Sequence, residues 1–453
     1  MTKFRVDSSW WRRPHDDGDT VVAGSPLKIF RFSNAARSTL DALEKQNEIP
    51  TTAQSVVARL LDAGAVHPIV EFASTFAPIN DVTVVVPVHN EGVTQIQNLV
   101  NRISPVHQVI IVDDGSSPPL PHIDGARIIR RDTAGGPAAA RNTAIEHITT
   151  AITFFLDADT SLDAESSWVD LLAHFDDPAV GVVAPRIASR SGSSLLTRYE
   201  QTHSPLDLGS EPARVRKNSR VSYLPTAALM IRTELLRDHH GFDELLRYGE
   251  DVDLIWRLLE ADVVCRYEPA VIVHHQPRPT LLEAWRQRVS YGSAAAPLDR
   301  RHRGAATPLR INRWSALAWT SLAIGHPLIG LTIAGGSTLA LQKKIETQPD
   351  SYQLALRLAG RGNLHAGRMI AQTLTRSWWP LAFLISLFSR TGRRVLLAAI
   401  IFPSLMSWFD KRPRLDPISY ATLRLADDVA YGTGVWKGVI ATRDIGALKP
   451  KFD

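Results

Sequence analysis

The chain has 453 residues, of which 44% are hydrophobic and 21% charged, and its formal net charge is +5. This composition excludes a largely disordered chain, and a charge of +5 over this length is too small to argue for a nucleic-acid-binding protein. A single cysteine, Cys265, excludes an intramolecular disulfide and a zinc site built from cysteines.

Residues 1–75 predict a small N-terminal module. Its first twenty residues are polar and charged, without an apolar run of signal-peptide length, so we expect the catalytic part of the chain in the cytoplasm. Residues 29–32 are typical of a strand, and Ser33 is placed to cap a helix that follows. A second helix over 51–63 is expected to end at Gly64.

A strand and two helices of this size indicate a winged-helix-like module, although an extension that simply packs on the next domain fits equally well. A DNA-binding winged helix is disfavoured, because Arg59 is the only basic residue of the predicted helix 51–63 and few phosphate contacts are available.

Residues 80–300 predict an α/β domain. Apolar runs rich in valine and isoleucine alternate with helical stretches, which is the pattern of a largely parallel sheet buried on both faces. Ligands of such sheets lie at the carboxyl ends of the strands. The predicted strands are 82–86, 109–112, 126–129, 152–156 and 180–184.

Residues 301–453 predict an apolar, helical C-terminal region. Residues 314–341 contain no charged side chain and are long enough to cross a bilayer. Residues 378–388 and 395–409 are shorter apolar stretches, each too short to span comfortably alone. We expect this region to associate with a membrane; buried helices of a C-terminal domain, or helices lying in the membrane interface, are the alternatives.

Acidic residues follow two of the predicted strands. Asp113 and Asp114 come directly after Val112, and Asp157-Ala158-Asp159 comes directly after Leu156. Carboxylates at the end of a buried strand need a cation or hydrogen-bond donors to offset their desolvation. Oxygen ligands suit Mg²⁺ or Mn²⁺, so the second motif predicts a divalent metal site, although an isolated Asp-x-Asp also occurs by chance in loops.

Other motifs supply groups for a nucleotide. Residues 87–91 end the first strand where the backbone turns and can receive a base edge. Pro137 suits the first turn of a helix whose N-terminus can face a phosphate. Arg141 of that helix is a candidate nucleotide contact, or else an ordinary surface residue.

Two further sites carry acid–base or metal-binding side chains. Glu250 and Asp251 open a predicted helix, where carboxylates also complement the helix dipole. A carboxylate at that place is a candidate general base for an acceptor hydroxyl. His274 ends a strand and is a candidate third metal ligand, or else a satisfied core histidine.

Taken in order, these motifs resemble the family 2 glycosyltransferases of the GT-A fold. The resemblance runs from Val82 to His275 and rests on PVHNE at 87–91, DDGS at 113–116, GGPAAARN at 135–142, DAD at 157–159, GFDE at 241–244 and GEDVDLIWR at 249–257. It implies an inverting transfer from a nucleoside-diphosphate sugar. It implies that Asp114 binds the nucleobase or ribose, that Asp159 and His274 hold Mn²⁺ or Mg²⁺, and that Asp251 is the base with Glu250 beside it.

The same resemblance assigns further contacts. The predicted nucleotide-sugar-binding residues are Pro87, Val88, Glu91, Asp113, Asp114, Arg141, Asp157 and Ala158, and the predicted acceptor-binding residues are Thr226, Gln287, Arg288 and Tyr291. Processive members of the family carry a Gln-Arg-x-Arg-Trp motif. Residues 287–291 keep its first two positions and an aromatic residue at the last, which leaves chain elongation open.

The whole chain is similar to the mycofactocin-system glycosyltransferases, and residues 25–68 look like the PqqD-like peptide-recognition modules. This resemblance implies a small peptide-derived redox cofactor as acceptor, decorated with an oligosaccharide of glucose, and UDP-glucose or a similar UDP-sugar as donor. From the apolar C-terminal segments we expect the protein at the cytoplasmic face of the membrane. Two rival hypotheses remain: a glycosyltransferase of cell-envelope or lipid-linked saccharides, and a non-catalytic carrier of nucleotide and peptide.

Overall fold

The computed structural model describes residues 3–69, 78–103, 106–162, 167–347 and 349–452. The chain forms two compact units. The sheet unit comprises Met1–Arg190 and His203–Gln276, and the helical unit comprises Ser191–Thr202 and Pro277–Asp453. The predicted N-terminal module therefore belongs to the same unit as the α/β domain, and the second boundary lies at residue 277 rather than 301.

Close helix packing explains the earlier boundary. Helix Leu281–Ser293 packs along helix Pro417–Thr442 within the helical unit. A Cβ atom added at Gly292 would lie 1.9 Å from the carbonyl oxygen of Tyr431, and one at Gly434 would lie 2.0 Å from that of Val289. Glycines at these positions let the two backbones approach, which ties residues 281–293 to the C-terminal helices.

The N-terminal module contains two small antiparallel sheets, β1 with β5 and β2-β3-β4, and two helices that cover them. The predicted strand at 29–32 and both helices are confirmed. Gly64 has φ +66°, as expected of a residue that ends a helix. The Ser33 cap is wrong, because its side chain makes no capping hydrogen bond and a 3₁₀ turn precedes α1. The elements are β1 Lys3–Val6, β2 Trp11–His15, β3 Gly18–Ala23, β4 Lys28–Ser33, α1 Arg37–Glu44, α2 Gln54–Asp62 and β5 Val66–Ile69.

An ion pair of the buried Asp7 carboxylate joins this module to the rest of the sheet unit. Asp7 Oδ2 lies 3.2 Å from the Arg220 guanidinium and 3.1 Å from His67 Nε2. Although burial raises the pKa of Asp7, hydrogen bonds from His67 and Ser9 and the charge of Arg220 hold it well below 3.8. A buried carboxylate of this kind stays ionised, so breaking the pair would leave an uncompensated charge.

The main sheet has the strand order β10-β14-β11-β13-β9-β6-β7-β8, with β12 paired to β14. Strands β8, β7, β6 and β9 are mutually parallel, whereas β13 runs antiparallel to both β9 and β11. The sheet is therefore mixed, not largely parallel as the alternation predicts. The elements are β6 Val82–Val88, α3 Val93–Ile103, β7 Gln108–Asp114, β8 Arg127–Arg131, α4 Pro137–Ile145, β9 Ile152–Leu156, β10 Thr160–Leu162, β11 Val180–Ser189, α5 Leu195–His203, β12 Ala213–Arg214, β13 Ala228–Arg232, α6 Thr233–Asp238, α7 Glu250–Glu260 and β14 Val264–His275.

Both faces of this sheet are buried. Val84 and Val86 of β6 pack into one hydrophobic core, and Val85 packs into the other. Successive side chains of a strand point to opposite faces, so an uninterrupted valine run is what a doubly covered strand requires. The predicted strands in this part of the chain are confirmed for that reason.

The helical unit is built from nearly all of α5, from α8 to α15 and from one short parallel strand pair. Its elements are α8 Leu281–Ser293, α9 Ala295–Arg301, β15 Arg310–Ile311, α10 Arg313–Ala323, α11 Pro327–Lys344, α12 Ser351–Thr375, α13 Trp379–Phe388, α14 Arg390–Lys411, α15 Pro417–Thr442 and β16 Lys451–Phe452.

Two expectations about apolar segments are corrected. Residues 314–341 do not form one helix, because Gly325 adopts φ +91° and Pro327 starts a new helix, so α10 and α11 fold against each other. Residues 395–409 instead belong to the continuous 22-residue helix α14. Among the described residues, α14 is the one helix whose length and apolar character suffice to cross a membrane, and 11% of its apolar window is buried.

Candidate active site

The carboxyl ends of β6 and β7 hold two loops that are joined by hydrogen bonds. His89 Nδ1 lies 2.8 Å from the carbonyl oxygen of Asp114, and the backbone N–H of Asn90 donates to Ser116 Oγ at 2.9 Å. The backbone N–H of Ser117 donates to Asn90 Oδ1 at 2.8 Å. Adjacent parallel strands bring these loops together, so the predicted base-binding segment 87–91 lies beside the loop that follows β7.

The predicted nucleotide residues of that segment lie at different depths. Val88 is buried in the sheet core, whereas Pro87 and Glu91 are half-buried. Their predicted contacts with a nucleotide stay predictions.

The Asp113 carboxylate is hydrogen-bonded to other groups of the protein. Its carboxylate accepts hydrogen bonds from the backbone N–H groups of Ser116, at 2.9 Å, and Leu120, at 3.1 Å, and it pairs with Arg130. Burial raises the pKa of Asp113, but these hydrogen bonds together lower it below 3.8. Asp113 therefore shapes the loop.

Asp114 is held in the same way. It pairs with Arg131 Nε at 2.8 Å and accepts from the backbone N–H groups of Gly135, at 2.9 Å, and Gly136, at 2.7 Å. The start of α4, predicted to face a phosphate, thus faces this carboxylate. The predicted contact of Asp114 with the nucleobase or ribose stays a prediction.

The Asp157-Ala158-Asp159 turn follows β9 and is fixed from several sides. The backbone N–H of Asp157 donates to the carbonyl of Ala227 at 3.0 Å, and Gln95 Nε2 donates to the carbonyl of Ala158 at 2.6 Å. Ala158 is buried by these contacts, while the side chains of Asp157 and Asp159 keep 31% and 17% of their surface exposed. Backbone contacts therefore present both carboxylates to solvent.

His275 lies beside Asp159, with Nε2 3.2 Å from Oδ2. The predicted metal ligand His274 is the preceding residue of β14, and its role stays a prediction. Residues Val271, Val273 and His275 share one side of β14, because side chains alternate along a strand, and His274 belongs to the other side. The sequence places two histidines at the strand end, but only the register of β14 against β10 selects between them.

This pair fits a divalent cation. Two ligands at adjacent corners of an octahedron with bonds of about 2.1 Å lie about 3 Å apart, close to the separation of the Asp159 and His275 ligand atoms. Within the part of the chain that the structure describes, no group of three or more His, Cys, Asp or Glu side chains is arranged to hold a metal. A cation here would draw its remaining ligands from water and diphosphate oxygens.

Arg141 is buried inside the site. Its side chain is 3% exposed, with Nη1 2.9 Å from Glu250 Oε1 and Nη2 2.7 Å from Asp157 Oδ1. Its guanidinium also lies 5.5 Å from the centre of the Phe242 ring. Both terminal nitrogens are paired with protein carboxylates, and the predicted contact of Arg141 with the nucleotide stays a prediction.

The start of α7 carries the second acidic pair. Gly249 has φ +80°, a conformation that favours glycine, and turns the chain into the helix. Glu250 pairs with Arg141, whereas Asp251 accepts a hydrogen bond from the backbone N–H of Val252 at 2.8 Å. Burial and the charge of Glu250 raise the pKa of Asp251 from 3.8 to about 7. A carboxyl group with that pKa suits proton transfer at neutral pH.

The GFDE motif has a supporting role that the sequence does not reveal. Asn142 donates to the carbonyl of Phe242 at 2.8 Å and to Glu244 Oε1 at 2.9 Å, and it accepts from the backbone N–H of Phe242 at 2.9 Å. This clamp holds Phe242 against Arg141. The adjacency of Arg141 and Asn142 in one motif is the signal that could have indicated it.

The predicted acceptor-binding residues lie in two units. Thr226 is buried next to Ala227, in the sheet unit. Gln287, Arg288 and Tyr291 lie on α8, in the helical unit. The Arg288 guanidinium is buried and pairs with Glu200 at 2.9 Å and with Asp427. All four acceptor contacts stay predictions.

One family model and one relative each match part of the chain. Residues 83–239 match the family model described as "Glycosyl transferase family 2". The match contains the two loops and the Asp157–Asp159 turn, and it ends before Asp251 and His275. The glycosyltransferase AglE of Haloferax volcanii is 27% identical over 44% of this chain and 67% of its own length.

One relative matches nearly the whole chain. The pre-mycofactocin glycosyltransferase of Mycobacterium tuberculosis (strain CDC 1551 / Oshkosh) is 38% identical over 96% of this chain and 95% of its own length. Among solved structures, a mannosyltransferase from Pyrobaculum calidifontis, in complex with GDP-Man and Mn²⁺, is 18% identical over 80% of this chain and 94% of its own, with a TM-score of 0.38. Because sequence identity extends through both units to a curated relative, the chain belongs to the pre-mycofactocin glycosyltransferases, within glycosyltransferase family 2.

Proposed function

We propose that this protein transfers a hexose, with inversion, from a nucleoside-diphosphate sugar to a small peptide-derived acceptor of the pre-mycofactocin type. The observation that carries the proposal is the half-buried Asp251 at the start of α7. Its pKa is raised to about 7, and Arg141 connects its neighbour Glu250 to the Asp157–Asp159 turn. This connection supports a reaction in which a proton acceptor works next to a metal and diphosphate site.

The reaction is a single displacement. Asp251 accepts the proton of an acceptor hydroxyl while that oxygen forms a bond to the anomeric carbon. The bond from the anomeric carbon to the diphosphate oxygen breaks, and its electron pair leaves with the nucleoside diphosphate. Attack opposite the leaving group inverts the configuration at that carbon.

The donor side is built from carboxylates that need a cation. Asp159 and His275 would hold Mn²⁺ or Mg²⁺, which supplies positive charge to offset that of the diphosphate. We expect UDP-glucose as the donor. The resemblance to family 2 glycosyltransferases supports a UDP-linked donor.

The acceptor follows from the relative that matches both units, which is named for pre-mycofactocin. The N-terminal module, ion-paired to the sheet through Asp7 and Arg220, is a candidate surface for the peptide part of such an acceptor. Repeated transfer would build an oligosaccharide of hexoses on it.

Mass spectrometry of purified protein with Mn²⁺ or Mg²⁺, a panel of nucleotide sugars and an extract from a host that makes the peptide-derived cofactor tests the proposal. We expect products spaced by one hexose on a small acceptor, with UDP-glucose giving the highest rate. Transfer to lipid or polymer acceptors alone would favour the cell-envelope hypothesis, and binding of nucleotide without turnover would favour a non-catalytic carrier.

The exposed surface of α14 supports association with a membrane. Helix α14 exposes Leu397, Ile401 and Phe402, each more than half accessible, and Arg390, Arg393 and Arg394 lie in its first turns. Exposed apolar side chains beside a basic cluster are typical of contact with anionic lipid. We propose that the protein works at the cytoplasmic face of a membrane. Co-sedimentation with vesicles containing anionic lipid, but not with neutral vesicles, is the expected result, and no sedimentation with either would contradict it.

A further inference from the structure

Arg141 connects two motifs that are far apart in sequence. It is 2% exposed, and its two terminal nitrogens each meet a different carboxylate: Asp157, sixteen residues later, and Glu250, 109 residues later. Phe242 covers the guanidinium at 5.5 Å. Such a buried bridge has excellent geometry for a guanidinium, whose planar fork can donate in two directions at once.

We propose that Arg141 is a positioning residue that fixes the start of α7, and with it Asp251, relative to the Asp157–Asp159 turn. This inference rests on the proposed function, since it assigns how the acceptor side and the donor side of that reaction are kept in register. In this role Arg141 acts through Glu250 and Asp157, to which its terminal nitrogens donate.

The bridge also separates the roles of the two adjacent carboxylates. Glu250 is paired with Arg141, so protonating it would break a buried ion pair. Among the described residues, the donor to Asp251 is the backbone N–H of Val252. The charged groups that act on Asp251 are Glu250 on its own helix, Arg141 on α4 and Asp157 after β9. Asp251 is therefore the proton acceptor, and Glu250 is the part of α7 that Arg141 holds.

Arg141→Lys is the sharpest test, because an ammonium keeps the charge but cannot bridge both carboxylates. We expect kcat to fall about 10²-fold, as small displacements of a reacting group do, while KM for the donor and the Kd for UDP measured by calorimetry stay within about twofold. The acid limb of the kcat/KM profile is expected to move to higher pH, because Arg141 lowers the pKa of Asp251 and lysine at a greater distance lowers it less.

Arg232→Lys is the matched control. Arg232 is also a buried arginine of the sheet unit, and it donates to the backbone carbonyls of Val180 and Phe175. It lies opposite Ile152, at the other end of β9 from the Asp157 turn. We expect this variant to lose stability without a change in the position of the acid limb.

Glu250→Ala tests the same bridge from its other end, should Arg141→Lys fold poorly. A loss of kcat similar to that of Arg141→Lys is expected, and the double variant is expected to be no worse than either single one, as for residues that act together. A Kd for UDP that weakens in parallel with kcat would show that Arg141 contacts the nucleotide and would overturn the inference. Wild-type kcat in Arg141→Lys would overturn it as well. Absence of transfer by the wild-type protein would instead count against the proposed function.

Discussion

Two acidic pairs of the sheet unit have opposite surroundings. Asp113 and Asp114 receive hydrogen bonds from backbone N–H groups and pair with Arg130 and Arg131. Asp251, at the start of α7, accepts from the backbone N–H of Val252 and has Glu250 as a carboxylate neighbour. The pKa of Asp113 is lowered, whereas that of Asp251 is raised. Hydrogen-bond donors of the protein thus hold Asp113 and Asp114 in structural roles. Asp251 has fewer donors among the described residues and is available for proton transfer.

Asp251→Asn is expected to have the largest effect. An amide cannot accept the proton, so kcat falls by about 10²–10⁴-fold, the usual contribution of a general base. Nucleotide affinity stays unchanged, since Asp251 lies on the acceptor side. Hexose transfer and UDP binding are the two measurements. Asp262→Asn, on an exposed residue just beyond the other end of α7, is the control, and near-wild-type turnover of Asp251→Asn would reassign the base.

The pH dependence of kcat/KM comes next. Because the base must be ionised and its pKa is about 7, activity should fall with decreasing pH below that value, by about tenfold per unit. Glu250→Gln removes a neighbouring negative charge that raises this pKa, so its acid limb should move to lower pH. Identical limbs in Glu250→Gln and wild type would indicate that another group titrates.

Replacing each of the two histidines with alanine tests which of them supports metal binding. His275→Ala should weaken Mn²⁺ activation by at least the roughly 10–100-fold seen when supporting residues of metal sites are lost, because His275 lies 3.2 Å from Asp159. His274→Ala is the matched control and should change it much less. Metal titrations of transfer activity, and of Mn²⁺ binding with UDP present, measure both. Equal losses in the two variants would contradict the assignment.

Asp114→Asn tests the structural pair. An amide cannot accept from Arg131 and from both glycine N–H groups as a carboxylate does, so we expect a loss of about 1–3 kcal/mol in the free energy of unfolding. Nucleotide affinity should fall with it. Urea denaturation of this variant beside Asp124→Asn, at a highly exposed position, gives the comparison, and an unchanged midpoint would show that the loop tolerates the loss.

The smallest effect concerns stability against pH. A carboxyl group whose pKa is raised on folding binds more protons in the native state, so it lowers stability as pH rises from 3.8 towards 7. Asp251→Asn removes this penalty. Its Tm should exceed that of the wild type by about 2–4 °C at pH 8, with a smaller difference at pH 5. A difference of the opposite sign would mean that Asp251 gains a stabilising partner when ionised.

Much of the sheet was predictable because strand signals are local. The runs at 82–86 and 152–156 contain no charged residue on either face, as a strand that is covered on both faces requires. Strand direction was not predictable, because β13 pairs antiparallel with β9 over more than seventy residues of intervening chain. Apolar content also failed to predict the helix bounds of the helical unit. Gly325 divides residues 314–341 into two helices, and α14 begins at Arg390, ahead of the apolar stretch 395–409.

The sequence by itself determined which residue types are available: acidic groups after two strands, an acidic helix start, paired histidines and one arginine in a glycine-rich motif. Identity and order of these groups suffice to indicate the family. Tertiary structure decided which of them meet. Strand register brought His275 next to Asp159, and burial made Arg141 a bridge between Asp157 and Glu250. Such choices depend on distances between residues up to 109 positions apart, which no local pattern of side chains encodes.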